Sequence, residues 1–201
     1  MFTCIAMTVV AVVAIATSAA AAGPSYPDNF AWAVGWDHHQ AGSGFTLELQ
    51  SPTLYSYSSH GLNHVLSAYL TLSTLTIPNR VTDDDGKFED QSNSLASLGV
   101  HWAVPQFGNL VTTYSQIGAV LLNADSDLAK KSQRYGARIV IGMELPSSIT
   151  KSESDASKTE RLTTFFVQSA LIEGLGTADE LPAEPDLFNG VSISVGARLH
   201  Y

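Results

Sequence analysis

The sequence predicts an all-β fold, a closed antiparallel up-and-down barrel of about eight strands. Three observations predict it. Period-two alternation of apolar and polar residues recurs along the chain, long helix-period patterns are absent beyond Gly23, and clusters of Gly, Pro, Asn, Asp and Ser bound eight candidate segments. With 201 residues, 14% charged and 45% hydrophobic, the chain suits one domain with a real core rather than a disordered chain or a string of domains.

The segments run in order as follows. Phe30, Trp32, Val34 and Trp36 alternate with Ala31, Ala33, Gly35 and Asp37, and Phe45, Leu47 and Leu49 alternate with Thr46, Glu48 and Gln50. The apolar series resumes past Pro52 at Tyr55 and Tyr57, so the second strand is expected to be long and kinked. The third sets Leu66, Ala68, Leu70 and Leu72 against Ser67, Tyr69, Thr71 and Ser73, and the fourth sets Ala96, Leu98, Val100, Trp102 and Val104 against Ser97, Gly99 and His101. Leu110 to Asn123 is a fifth strand with blurred alternation. In the sixth, Tyr135, Ala137, Ile139, Ile141 and Met143 oppose Arg134, Gly136, Arg138, Gly142 and Glu144. Arg161 to Leu175 is a seventh whose faces the pattern does not assign, and Gly190 to Tyr201 is the eighth. Eight strands leave roughly 22 residues for each strand and its connection, room for tilted strands of about 9 to 11 embedded residues.

Ahead of these segments, Ile5 to Ile15 is an apolar run followed by small residues ending in Ala20-Ala21-Ala22. The pattern predicts a secretory signal peptide over residues 1–22, cleaved near Ala22, and a barrel domain over residues 23–201. Its departure from the usual pattern is the stretch Met1 to Cys4, which lacks Lys and Arg. The alternative, a membrane anchor, needs roughly 20 apolar residues and the run is shorter. Cys4 is the only cysteine and lies within the leader, so the exported chain has no thiol for catalysis or metal ligation. A net charge of −9 with only ten Lys plus Arg excludes the electrostatic footprint of a nucleic-acid binder.

Alternation alone does not separate a membrane barrel from a soluble lipocalin-like one, because the period is the same with the faces exchanged. The C-terminus separates them. Val191, Ile193, Val195, Ala197, Leu199 and Tyr201 alternate without a break against Ser192, Ser194, Gly196, Arg198 and His200, and the chain stops on the aromatic. This ending resembles the assembly signal of bacterial outer-membrane β-barrel proteins, with Ser194, Gly196, Leu199 and Tyr201 at the matching positions. The resemblance implies a transmembrane β-barrel of the small eight-stranded, OmpA-transmembrane or OmpX-like size class, resident in the cell outer membrane of a Gram-negative bacterium. It further implies that the barrel-assembly machinery reads this last strand, and that outer-membrane lipid and lipopolysaccharide are its surroundings. Trp32, Trp36 and Trp102 lie near strand ends on apolar faces, where aromatic girdles meet headgroups.

The expected lumen holds Glu48, Gln50, Tyr69, His101, Gln116, Arg134, Arg138, Glu144, Arg198 and His200. Glu48, Tyr69, His101, Arg138, Glu144 and Arg198 are its expected polar network, a plug of hydrogen-bonded and ion-paired groups rather than an open passage. The architecture is porin-like, but the ring is too narrow for a large pore. With both termini periplasmic, Pro78 to Ser94 is expected as an outward acidic loop carrying Asp83-Asp84-Asp85-Gly86. A second acidic loop carries Asp179, Glu180, Glu184 and Asp186. The first fails calcium-loop spacing, with Val81 and Ser92 at the end ligand positions. Ser147 to Lys158 would be a periplasmic turn, where short turns are usual, so either a strand count or boundary differs there or the turn is unusually long.

No catalytic, cofactor or metal site is assigned from the sequence. Ser58, Ser59, His60 and His64 cluster at one turn, and Asp37, His38 and His39 at another strand end, without a nucleophile motif. The functional expectation is a structural or surface-interaction protein. An acyl hydrolase or transferase acting on lipid, and a soluble periplasmic carrier of a hydrophobic ligand, are the alternatives.

Overall fold

A computed structural model describes residues 30–40, 42–82, 88–106, 110–123, 133–151, 160–174 and 190–201, so the expected leader, the run Asp83-Asp84-Asp85-Gly86 and the acids from Asp179 to Asp186 lie outside the described residues. All regular structure among the described residues is strand. The strands are β1 (Ala31–His39), β2 (Gly42–Gln50), β3 (Tyr55–Ser59), β4 (Leu62–Thr82), β5 (Phe88–Gln106), β6 (Val111–Asn123), β7 (Gln133–Lys151), β8 (Glu160–Gly174) and β9 (Gly190–His200).

Every strand pairs antiparallel with its neighbours, and β1 joins both β2 and β9, which closes the sheet. β2 and β3 follow one another along the same edge of β4, so the nine segments form eight staves. The break is local and has a local cause. Pro52 has no amide hydrogen to give to a ladder, yet Ser51 N reaches Ala68 O at 2.9 Å and Leu54 N reaches Leu66 O at 2.8 Å, so the kinked stave stays attached. The β3–β4 hairpin turns on His60 and Gly61, both at positive φ (52° and 77°), as a two-residue turn whose twist matches the strands requires.

The register gives the tilt. From Gly35 the hydrogen-bonded partners run one way through Gly196 and Phe166 to Glu144, and the other way through Thr46, Ser73, Leu95 and Leu122 to Arg134. The two paths meet β7 ten residues apart, and that stagger tilts eight strands by roughly 40° and leaves an interior that side chains can fill.

The alternating faces sort by polarity. Outward stand Trp32, Leu47, Leu72, Leu98, Val100, Ile117, Ile141, Val167 and Ile193, with Leu98 62% exposed. Inward stand Glu48, Ser67, Thr71, Ser97, His101, Gln116, Glu144, Gln168 and Arg198, all buried. Two smaller apolar groups also face inward: Val65, Ala103, Tyr114, Val140 and Ala170, and, packed with Leu95, Val120, Leu122 and Ile172.

Three inward rings are seated on glycine. Tyr69, Gly99 and Gly118 are successive partners across β4, β5 and β6, and a Cβ on Gly118 would lie 2.5 Å from the Tyr69 hydroxyl. Phe166, Gly196 and Gly35 repeat the arrangement across β8, β9 and β1, and Tyr114 lies on Gly142 of β7. An aromatic ring laid across a neighbouring strand needs a partner without a side chain.

Two sequence expectations are corrected. Pro78 to Ser94 is not a loop, since β4 runs to Thr82 and β5 starts at Phe88, with a register shift between Ile77 and Val81 that accommodates Pro78. Ser147 to Lys158 is not one long turn either. β7 continues to Lys151 past a register shift at Pro146 and Ser148, and β8 begins at Glu160. In both places polar strand ends, without alternation, continue the ladder.

Candidate functional site

The chemistry-bearing residues gather inside the barrel, and Arg198 on β9 is their centre. Its guanidinium is 1% exposed. Nη2 donates to Glu48 Oε1 at 2.6 Å and Nη1 donates to Glu144 Oε1, so one cation joins carboxylates from β2 and β7. The rings of Tyr114 and Phe166 flank the guanidinium at 5.1 and 5.4 Å, which adds cation–π attraction in a site that water does not reach.

The carboxylate oxygens that Arg198 leaves over have other partners, while Gln116 Oε1 and His101 Nε2 are buried without one. Gln116 Nε2 spends its two hydrogens on Glu48 (3.0 Å to Oε2) and on His101 Nδ1 (3.1 Å). On Glu144, Oε2 accepts from Thr164 Oγ1 at 3.0 Å and faces His200 Nε2 at 3.1 Å. His101 stacks on Tyr114 with ring centres 4.9 Å apart. From Tyr114 a directional chain leads across the barrel: its hydroxyl donates to Gln168 Oε1 (2.7 Å), Gln168 Nε2 to Ser194 Oγ (3.4 Å), and Ser194 Oγ to Asp37 Oδ1 (2.8 Å).

The structure therefore brings Glu48, His101, Glu144 and Arg198 into one connected group, with Gln116 and His200. Tyr69 is buried but apart from it, bonded to Ser97 Oγ at 3.1 Å. Arg138 is buried too, and its Nη1 has no hydrogen-bond partner. Gln50 is turned to Ser67 at 2.7 Å. The Arg134 side chain lies outside the described residues. Tyr114, Thr164 and Gln168 were not anticipated. They sit on the two strands whose alternation is blurred, and only a face assigned from pairing partners identifies them.

The terminal-strand residues have packing roles of their own. Ser194 bonds Asp37 and Gly196 makes room for Phe166. Leu199 is outward and half-buried, and Tyr201 gives its amide to Phe30 O at 3.0 Å and takes the Trp32 Nε1 hydrogen at 3.2 Å.

At the rim, Ser58 Oγ donates to Asn63 Oδ1 (2.6 Å) and Ser59 Oγ meets the adjacent His60 Nδ1 (2.9 Å), contacts that belong to the turn itself. His64 accepts from Trp102 Nε1 at 3.2 Å and stacks on Tyr57 at 4.5 Å. His38 and His39 both lie within β1 and point to opposite faces, the first exposed and the second buried, so they do not share an ion. No cluster of three or more His, Cys, Asp or Glu suited to a metal ion occurs among the described residues. In comparisons with known proteins, no family model, no curated protein and no solved structure matches this chain.

Proposed function

We propose that the chain is a small integral β-barrel of a bacterial outer membrane, with a structural or surface-interaction role and no large open pore. The observation that carries this reading is the outer face. Among side chains that are described, the outward positions within 32–36, 45–49, 66–72, 96–104, 117–121, 135–145, 165–171 and 191–199 hold no Asp, Glu, Lys or Arg. Such a belt around a closed cylinder is costly in water and stabilising in hydrocarbon. Aromatic residues mark its margins: Trp32 with Tyr201 and Trp102 with His64 and Tyr57 at the end holding the C-terminus, Trp36 edge-on to Phe45 (4.8 Å) toward the other.

The interior supports the absence of a large pore, since Glu48, Arg198 and Glu144 span it from opposite staves. A carrier of hydrophobic ligands would need those faces exchanged. In this reading the end with Ala31 and Tyr201 is periplasmic, membrane lipid and lipopolysaccharide cover the belt, and the assembly machinery engages β9 through Ser194, Gly196, Leu199 and Tyr201.

The test is fractionation of expressing cells with electrophoresis of unheated and heated samples. Residence in the sarkosyl-insoluble envelope, with faster migration before heating, is the expected outcome. A chain recovered soluble and monomeric without detergent would overturn the proposal.

A further inference from the structure

A second polar region of the interior is separate from the Arg198 group. Arg138 on β7, only 5% exposed, has Nη1 without a hydrogen-bond partner. A guanidinium does not give up its charge, and burying it uncompensated is costly. The interior carboxylates that are described are engaged elsewhere, Glu48 and Glu144 with Arg198, and Asp37 with Ser194.

The strand register sets hydroxyl donors near the height of Arg138. One hydrogen-bonded row carries Tyr69, Gly99, Gly118 and Arg138, and the Tyr69 hydroxyl lies over Gly118, the β6 partner of Arg138, and meets Ser97 Oγ at 3.1 Å. Thr71, the β4 partner of Ser97, is buried with Oγ1 unpartnered. Ser192 is likewise buried with Oγ unpartnered. It reaches β7 through Ala170 at Val140, the next inward residue after Arg138, and the strand tilt brings it level with Arg138.

We infer that this level of the interior is a binding site for a small inorganic anion, with the Arg138 guanidinium as its cationic partner and the hydroxyls of Tyr69, Ser97, Thr71 and Ser192 as the ring of donors around it. The chemistry is that of chloride or phosphate: one fixed cation, neutral hydroxyl donors, and no ion pair to a described carboxylate. It concerns the inside of the barrel and holds whether or not lipid covers the outside.

The test uses the folded chain in detergent, unfolded by denaturant in sodium gluconate, chloride or phosphate at one ionic strength. The unaltered protein should have a higher midpoint in chloride or phosphate than in bulky gluconate, and the salt that gives the shift identifies the anion. Arg138→Gln should weaken the apparent affinity roughly tenfold to a hundredfold, with Arg138→Lys retaining part of it. Equal midpoints in all three salts, or a shift unchanged in Arg138→Gln, would overturn the inference. Should Arg138→Gln fail to fold, diffraction from the unaltered protein with bromide decides: an anomalous peak beside Arg138 supports the site, and a water there overturns it.

Discussion

Arg198 shows how much a single residue is asked to do inside a barrel of this width. It stands between Glu48 and Glu144, which no strand pairing would otherwise bring together, and its removal would leave two buried carboxylates facing each other. Arg198→Met should therefore cost about 3–5 kcal/mol, the range for breaking a buried pair on one side. Denaturant unfolding of the detergent-refolded protein measures this. Adding Glu48→Gln and Glu144→Gln to the same chain should recover most of the loss, because the penalty comes from uncompensated charge rather than lost packing. Individual residues of this group were legible in the sequence because they hold the polar face of a clean alternation: Glu48 between Leu47 and Leu49, Arg198 between Ala197 and Leu199. Their connections were not. Alternation gives the face of a residue and says nothing of its height, and it is height that unites Arg198 with Glu144 and leaves Arg138 apart.

At the level of elements, the aromatic-on-glycine seats join neighbouring strands by shape. A Cβ on Gly142 would run into Tyr114 Cζ and meet the Tyr114 hydroxyl at 2.6 Å and Gln168 Cβ at 2.9 Å, all of them side-chain atoms. Gly142→Ala should cost about 1–3 kcal/mol by overpacking the β6–β7 contact, and much less in a Tyr114→Leu background, which a double-mutant cycle would reveal as strong coupling. Near-additive losses would mean that the ring moves aside freely. The last strand makes a different prediction. Deleting Tyr201 removes its bonds to Phe30 and Trp32 and, in the proposed reading, part of the assembly signal. Expressed cells should then accumulate a protease-sensitive form, which limited proteolysis of intact and lysed cells detects; a truncated chain inserted normally would refute that role. Strand positions were legible wherever one face is polar, as in β2, β4 and β9. They blurred in β8, where Phe165 and Phe166 are adjacent, Phe166, Ala170 and Ile172 turn inward and Ser169 turns outward, so both faces mix apolar with polar residues. Strand ends such as Thr76 to Thr82 escaped for another reason: pairing with a partner strand continues a ladder where no hydrophobic pattern asks for one.

For the whole molecule, closure and polarity have to be considered together, because closing the sheet satisfies the backbone and leaves only the question of which solvent each face meets. The outward run Ala96, Leu98, Val100, Trp102 and Val104 on β5 carries that question in a single strand, with Val100 at its middle and Ser92, outward and exposed, beyond its end. If lipid covers the belt, Val100→Arg should destabilise the barrel in lipid vesicles by about 2–4 kcal/mol and Ser92→Arg by about 0–1 kcal/mol, the depth dependence of a cation in a bilayer. If water covers it, both substitutions are exposed surface changes and should fall within about 0.5 kcal/mol of the unaltered protein. Neither touches the interior, so a difference between the two sites reports the outer solvent alone. Reversible unfolding of the three proteins side by side makes the comparison, and equal small effects at Val100 and Ser92 would remove the belt from hydrocarbon while leaving the barrel itself untouched.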